Sequence, residues 1–341
     1  MKLKTIVLTL IAFSTISLSA ENENFCDPCE PRCDQCDPCC DWLFHIDWLC
    51  WKVRRSDLDY VVPVVSETDD RLYGRVKCVS PDGDSGIRIG AFRNCDGNWR
   101  VGAQYTYFKA SGKNSHSSDM NNLIATRPHP GIQPNDIVDD GAKYVSADYD
   151  VELNVLDIEA GYQYDLCCVD GFARPLVGAK FAFIDQKLVS DYERHSVPIK
   201  FHTIDQLDMD SYGAYFGLEG EWNLWCGFGF FGRAASGLNL AEFDIRHTDI
   251  NTSTKPYETQ VDVKKTAYLV VPHYELTTGV QLELCEYLCA DWMVQLGYEY
   301  HHWCGVADFL NFVDRDEYGS TARSGSNLGF DGLFIRLNAR Y

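Results

Sequence analysis

Beyond its first twenty residues this chain of 341 has no run of about 18 apolar residues, which excludes a membrane-spanning helix. Positive charge is scarce: 30 Lys and Arg stand against 50 Asp and Glu, a formal net charge of −20. That balance argues against nucleic acid as a partner. The sequence has no nucleophile elbow, no phosphate-binding loop and no HExxH. Gly83-Asp84-Ser85-Gly86 is similar to the nucleophile stretch of trypsin-like proteases, but Ile87 stands where the next Gly belongs and no suitably framed His precedes it. His301-His302 would point to opposite faces of a strand, so the pair does not serve one metal. Arg127-Pro128-His129-Pro130-Gly131 reads as a loop tip. A barrel protease would need Asp and His pairs facing a cleft at the outer strand ends, and no such pair is evident. The expectation is no enzyme, no cofactor and no resident metal.

The start of the chain reads as a secretory signal. Lys2 and Lys4 are basic, Ile6 to Leu18 is apolar, and Ser19-Ala20 offers a small-residue cleavage site before Glu21. Removing it takes the net charge from −20 to −22. Residues 21–41 form a separate segment, rich in Cys, Asp and Pro, that cannot build a core. From Trp42 onward the chain alternates between polar and apolar positions over long stretches, the period of a strand with two different faces. Strands are expected near 43–52, 86–94, 98–109, 147–166, 171–185, 210–225, 227–241, 266–284, 288–303 and 327–341. In one, Tyr212, Ala214, Phe216, Leu218, Trp222 and Leu224 share a face, while Glu219, Glu221 and Asn223 share the other. The 147–166 stretch moves its apolar residues from odd to even positions at Val155, which assigns 156–166 to the membrane and 147–155 to an extension above it, with a bulge near Val155.

Repetition of two-faced strands through the whole chain favours a closed sheet. Connections alternate between short (Cys95-Asp96-Gly97, Cys167 to Gly171, Cys226-Gly227, Cys285 to Leu288) and long (roughly 53–85, 110–146, 186–209, 242–265, 304–326). Outer-membrane barrels have short periplasmic turns and long outer loops. The fold class expected is therefore all-β: a transmembrane antiparallel up-and-down barrel of about ten strands over 42–341, or twelve if Leu72 to Val79 and a partner also pair. Nineteen Tyr, eighteen Phe and eight Trp suit aromatic belts at the two interfaces. The last strand, ending Leu337-Asn338-Ala339-Arg340-Tyr341, alternates to its final residue and would close on the first.

Fifteen Cys in an exported chain are expected to be mostly disulfides. Cys26, Cys29, Cys33, Cys36, Cys39 and Cys40 precede the first strand; Cys95, Cys167, Cys168, Cys226, Cys285 and Cys289 sit in or beside short turns on the same side. Cys50, Cys78 and Cys304 fall near the outer rim. A thiolate zinc site at the two CxxC pairs lacks a nearby His and an environment that keeps thiols reduced, and a thioredoxin-type pair lacks its βαβ setting. Two readings stay open for the thiols: stapling of the N-terminal segment to the barrel, and cross-links to second copies or to Cys-rich envelope proteins.

Charged residues of both signs fall on the face opposite the apolar one. Arg88, Arg100, Asp157, Glu159, Arg174, Lys180, Glu219, Glu221, Arg233, Glu275, Glu283, Asp291, Glu299, Arg336 and Arg340 are the candidate pore-lining set. Neighbouring strands differ in sign, notably Asp157/Glu159 against Arg174/Lys180 and Asp291/Glu299 against Arg336/Arg340. In an open pore such residues stay solvated and set selectivity; in a narrow barrel they interlock and fill it. A porin passing small hydrophilic solutes or ions, in contact with outer-membrane lipid, is the first reading. A non-conducting structural barrel or adhesin acting through its long loops is the second. Buried pairing of the lumen charges would favour the second.

With the strands laid out, the chain resembles the Legionella-type pore-forming major outer membrane protein family, also found in Chlamydia-like bacteria. The resemblance rests on Ile46 to Lys52, Ile87-Arg88-Ile89-Gly90, Trp99 to Phe108, Leu156 to Gly161, Arg174 to Lys180, Tyr212 to Gly220, Gly297 to Trp303 and Gly329 to Tyr341, in that order. It covers about 42–341 and implies a β-barrel porin of the bacterial outer membrane.

Overall fold

The computed structural model describes residues 42–341 apart from 69–70, 96–97, 120–121, 131–140, 167–169, 195–199, 226, 254, 285–289, 313–320 and 323–324. The expected signal (1–20), the Cys-rich segment (21–41) and, of the candidate cross-linking thiols, all but Cys95 lie outside these residues.

Ten strands form the wall: β1 (Trp42–Arg54), β2 (Asp84–Cys95), β3 (Trp99–Ser117), β4 (Tyr144–Tyr162), β5 (Gly171–Glu193), β6 (Lys200–Trp225), β7 (Phe228–Asn251), β8 (Glu258–Glu283), β9 (Asp291–Ala307) and β10 (Ser326–Arg340). Each pairs antiparallel with its neighbours in sequence, and β10 pairs with β1 from Arg340↔Leu43 to Gly329↔Arg54, so the sheet closes into an up-and-down barrel. Closure reaches the last residue, where Trp42 and Tyr341 exchange two backbone hydrogen bonds of 3.1 and 2.9 Å. The expected barrel is observed, with ten strands. The twelve-strand alternative is not: Arg71–Gly74 and Lys77–Cys78 pair with Asp59–Thr68 in a small separate sheet.

One face of the lower wall is built for lipid. Ile158, Val177, Phe216, Leu238, Leu276, Leu296 and Ile335 are exposed on its outside. Below them Trp42, Phe44, Trp99, Tyr164, Trp222, Trp225 and Phe228 mark the periplasmic end, several in ring contact with each other. The upper limit of this band is set by charge. Glu152, Asp185, Asp208 and Asp244 lie directly opposite one another on β4, β5, β6 and β7 and form a row of carboxylates. Such a row cannot sit in hydrocarbon.

Above that row the strands continue, and both faces change character together. On β4 the odd positions point inward throughout: Val145, Ala147, Tyr149, Val151, Leu153 and Val155 are buried, then Asp157 and Glu159. The even positions point outward, with Asp148, Asp150, Glu152 and Asn154 above and Leu156 and Ile158 below. The expected bulge at Val155 is absent, because β4 holds unbroken register with β3 and β5. What changes at Val155 is the outside medium. In water the wall is polar outside and apolar inside; in lipid the order is reversed.

The same inversion explains why the loops expected over 186–209 and 242–265 are largely strand. Leu188, Tyr192, Phe201, Leu207, Phe243, Ile245 and Val261 are buried inside this upper section, where they build a hydrophobic core as a soluble sheet would. The wall is lopsided in consequence: β5 to β8 run 23 to 26 residues, whereas β1 and β2 run 13 and 12.

Replacing lipid-facing Ile158 by Lys is expected to lower stability by about 2–4 kcal/mol, whereas Asp150→Lys, eight positions up the same strand on its wet outer face, changes it by about 0.5 kcal/mol or less. Urea titration of refolded protein in lipid vesicles measures both. Equal losses would place the lipid boundary elsewhere.

Candidate functional site in the barrel lumen

At the level of the lipid band the lumen is filled by paired charges. Arg336 Nε donates to Asp47 at 2.7 Å, and Arg88 Nη1 donates to both Asp47 and Glu299 at 3.0 Å. His301 lies 3.3 Å from Glu299 and 3.7 Å from Glu275. Lys180 Nζ joins Glu275 at 2.6 Å and Asp157 at 2.5 Å. Gln104 extends the chain by donating to Asp157 at 3.3 Å. This single line of contacts ties β10, β1, β2, β9, β8, β5, β4 and β3 together through the middle of the barrel. Two shorter groups lie beside it. Arg233 and Tyr215 both donate to Glu159, at 2.7 and 2.9 Å. Glu219 sits 3.4 Å from Arg174 and 3.8 Å from Arg100.

Neutral groups complete the packing. Trp51 Nε1 donates to Glu299 at 2.9 Å, and Arg88 Nε to Thr106 Oγ1 at 3.0 Å. The space left open is a cavity of about 60 Å³ among His45, Arg88, Arg100, Gln104, Gln295 and Arg336. That volume holds a few waters.

Above the ion pairs a cap of three inward-folded segments closes the mouth. Leu58, Tyr60 and Val61 come from the β1–β2 connection, Leu123 from the β3–β4 connection, and Val306, Ala307, Phe309 and Leu310 from the top of β9; all are buried in the upper core. Polar clasps hold them. Arg55 pairs with Asp57 at 2.5 Å and stacks over Phe309 at 4.0 Å, while Gln186 donates to the Val306 carbonyl at 2.9 Å. Arg127 donates to the Asp59 carbonyl at 2.7 Å. Arg127, Pro128 and His129, read from sequence as a loop tip, are therefore buried within the cap. A Pro-flanked His on a connection signals a turn, and nothing local says the turn folds inward.

The outer strand ends also carry an Asp/His group that sequence reading missed. His247 on β7 has Asp205 at 2.6 Å from Nδ1 and Asp249 at 3.1 Å from Nε2. Asp249 also accepts from Thr203 Oγ1 at 2.7 Å and from the His129 backbone N–H at 2.8 Å. With a carboxylate on each ring nitrogen, both nitrogens donate and the ring is an imidazolium. Burial disfavours that charge, but the hydrogen bonds and charges of Asp205 and Asp249 outweigh it and push the pKa up to about 10. The ring of Phe312 packs on His247 and on the ring of His129, whose backbone N–H bonds Asp249, so the group works as a clasp on the cap.

Residues 37–340 match the family described as Legionella pneumophila major outer membrane protein precursor. This chain belongs to that family. It is an outer-membrane β-barrel. No curated protein sequence matches it. Among solved structures, the outer membrane protease OmpT from Escherichia coli is 11% identical, covers 90% of this chain and 98% of its own, and superposes with a TM-score of 0.47. Outer membrane protein AlkL in lipid bilayers is 13% identical, over 76% of this chain and 95% of its own, with a TM-score of 0.26. A Pseudomonas aeruginosa FadL homologue is 7% identical, over 88% and 89%, with a TM-score of 0.25. At these scores none bears on what this member of the family does.

Most of the pore-lining set faces the lumen as expected. Arg88, Asp157, Glu159, Arg174, Lys180, Glu275 and Glu299 are buried there, and Arg100, Glu219, Glu221, Arg233 and Arg336 are partly so. Asp291 and Arg340 pair in register at the periplasmic rim, where Arg340 is exposed. Of the expected strand-to-strand sign pairs, Lys180 against Asp157 forms directly in register. Glu299 against Arg336 does not. Arg336 turns to Asp47, its register partner on β1, and Glu299 reaches across to Arg88. Asp47 and His45 had escaped notice, although their alternation with Phe44, Ile46 and Trp48 marks them as inward.

Truncating Arg88 to Ala takes the arginine from buried Glu299 and leaves Asp47 with Arg336 alone, and is expected to lower stability by about 3 kcal/mol. Arg54→Ala, which removes an ion pair whose Arg side chain is 58% exposed, is expected to lower it by about 1 kcal/mol or less. Urea unfolding in micelles compares them.

A second expectation concerns pH. The folded-state pKa of His247 is raised, so its contribution is complete below the unfolded value near 6.5 and fades as pH climbs through about 10. The stability difference between wild type and His247→Gln should therefore shrink across that window. A difference that grows with pH would contradict the imidazolium assignment.

Proposed function

We propose that this outer-membrane protein is a closed structural barrel that displays a tall, capped head on the cell surface, and that solutes do not pass through it in this conformation. The observation that carries the reading is the cap over an apolar upper core. A hydrophilic solute would need a wet path, yet the inner wall above the lipid band is lined by Tyr149, Val151, Leu153, Ile184, Leu207 and Phe243 and packed with the cap's own side chains. The lumen below is occupied by mutual ion pairs. Export with loss of a leader at 1–20, and thiol cross-links to second copies or Cys-rich envelope proteins, belong to the same reading.

The other reading is a porin for small ions that opens when cap and ion pairs rearrange. It is favoured by the charged cavity of about 60 Å³ within the lumen, which gives an ion somewhere wet to stand. No catalytic chemistry is assigned: the Asp205–His247–Asp249 group lies under the cap, each member almost fully buried.

Planar-bilayer recording of refolded full-length protein tests the proposal. A closed barrel gives no stepwise current at either polarity. Reproducible unitary steps in wild type would overturn it and establish the porin.

A further inference from the structure

Toward the outer end of the wall, β8 has a long edge with no strand beside it among the described residues. β8 pairs with β7 along nearly its whole length, from Leu282↔Phe228 to Glu258↔Asn251. Its pairing with β9 runs only from Glu283↔Met293 to His273↔Trp303. Beyond Trp303 the chain of β9 parts from β8: Gly305 takes a φ of +70, Val306 and Ala307 are buried with the cap, and Ala307 pairs only with Ser326 of β10. From Glu258 to Pro272, therefore, β8 has no neighbour on that side among the described residues. Its N–H and C=O groups on that edge form no ladder.

The edge is held straight. Its outward side chains bond back to β7: Thr266 Oγ1 donates to Asp244 at 2.8 Å, Tyr268 Oη to Glu242 at 3.0 Å, and Arg246 of β7 to Asp262 at 2.8 Å. Apart from Lys265 its inward side chains are apolar and incompletely covered, with Val263 37% and Leu269 38% exposed. A half-covered apolar face beside an unpaired ladder is the surface that an added strand completes.

Charge decides what that strand is. Lys264 and Lys265 sit mid-edge, one on each face, and neither forms an ion pair among the described residues; Lys264 stands opposite Arg246 in the ladder. A second copy in the same membrane would bring its own β8 to the same height, lysine against lysine. Like charges directly opposed disfavour pairing, so self-association is guarded against. We infer that the Glu258–Pro272 edge of β8 is a strand-addition site for an extended segment of another protein, apolar toward the barrel mouth and acidic on its outer face opposite Lys264. The inference is independent of whether the lumen conducts.

The test uses full-length refolded barrel in micelles and an acetylated, amidated decapeptide alternating valine with glutamate. Hydrogen exchange is read residue by residue. Without peptide, alternate amides across Val261–Val271 exchange fast; with it they slow, while those of β1 to β5 do not change. Lys264→Glu weakens binding about tenfold or more. A peptide with lysine in place of glutamate binds that variant better than wild type. Three results overturn the inference: protection of these amides before any peptide is added, no slowing at about 1 mM peptide, or equal binding of both peptides to wild type.

Discussion

A strand in hydrocarbon cannot leave its backbone hydrogen-bonding groups unpaired, because no water is there to accept them. Every other feature of this barrel answers to that rule. It forces ten strands to close and joins Tyr341 to Trp42 at the seam. The same rule lapses above the membrane. There β8 and β9 part company beyond Trp303, and β3 runs on past the end of β2.

Closure creates an inside, and the width of ten strands decides how it is filled. A bore this narrow brings side chains from opposite walls within hydrogen-bonding reach. Arg88 on β2 therefore meets Glu299 on β9, and Arg233 on β7 meets Glu159 on β4, across the lumen rather than along the sheet. Charges that lipid would exclude from the outside, and that solvent would keep apart in a wide pore, neutralise one another here. Removing both members of such a pair is often tolerated in proteins, whereas removing one is costly. The network is thus a constraint on wall positions more than a reserve of stability.

The head obeys soluble-protein rules on the same strands. Nothing in the backbone of β4 marks the passage from lipid to water, and its register with both neighbours is unbroken. Only the side chains change, and they change on both faces at once. That exchange is written in the sequence as an apolar pattern that shifts from odd to even at Val155. The sequence pattern already puts 147–155 above the membrane; the extra residue it suggests is not there, and the change of solvent alone accounts for the shift.

Alternation alone located the membrane-level part of the ten wall strands, the closure at Tyr341 and the inward face of nearly every lumen charge, because a two-residue period fixes sidedness wherever one face is buried; it left ten or twelve strands open and read the upper strands over 186–209 and 242–265 as loops. It also announced the pairing of Lys180 with Asp157, which are direct neighbours in the ladder. Only the tertiary structure decided the rest. Which charges meet across the bore depends on curvature and stagger that no local pattern contains, so Asp47 took Arg336 and Glu299 took Arg88. The burial of Arg127 and His129 in the cap, and the grip of Asp205 and Asp249 on His247, arise because distant connections fold into one mouth. Residues far apart along the chain become contacts only once the cylinder has closed around them.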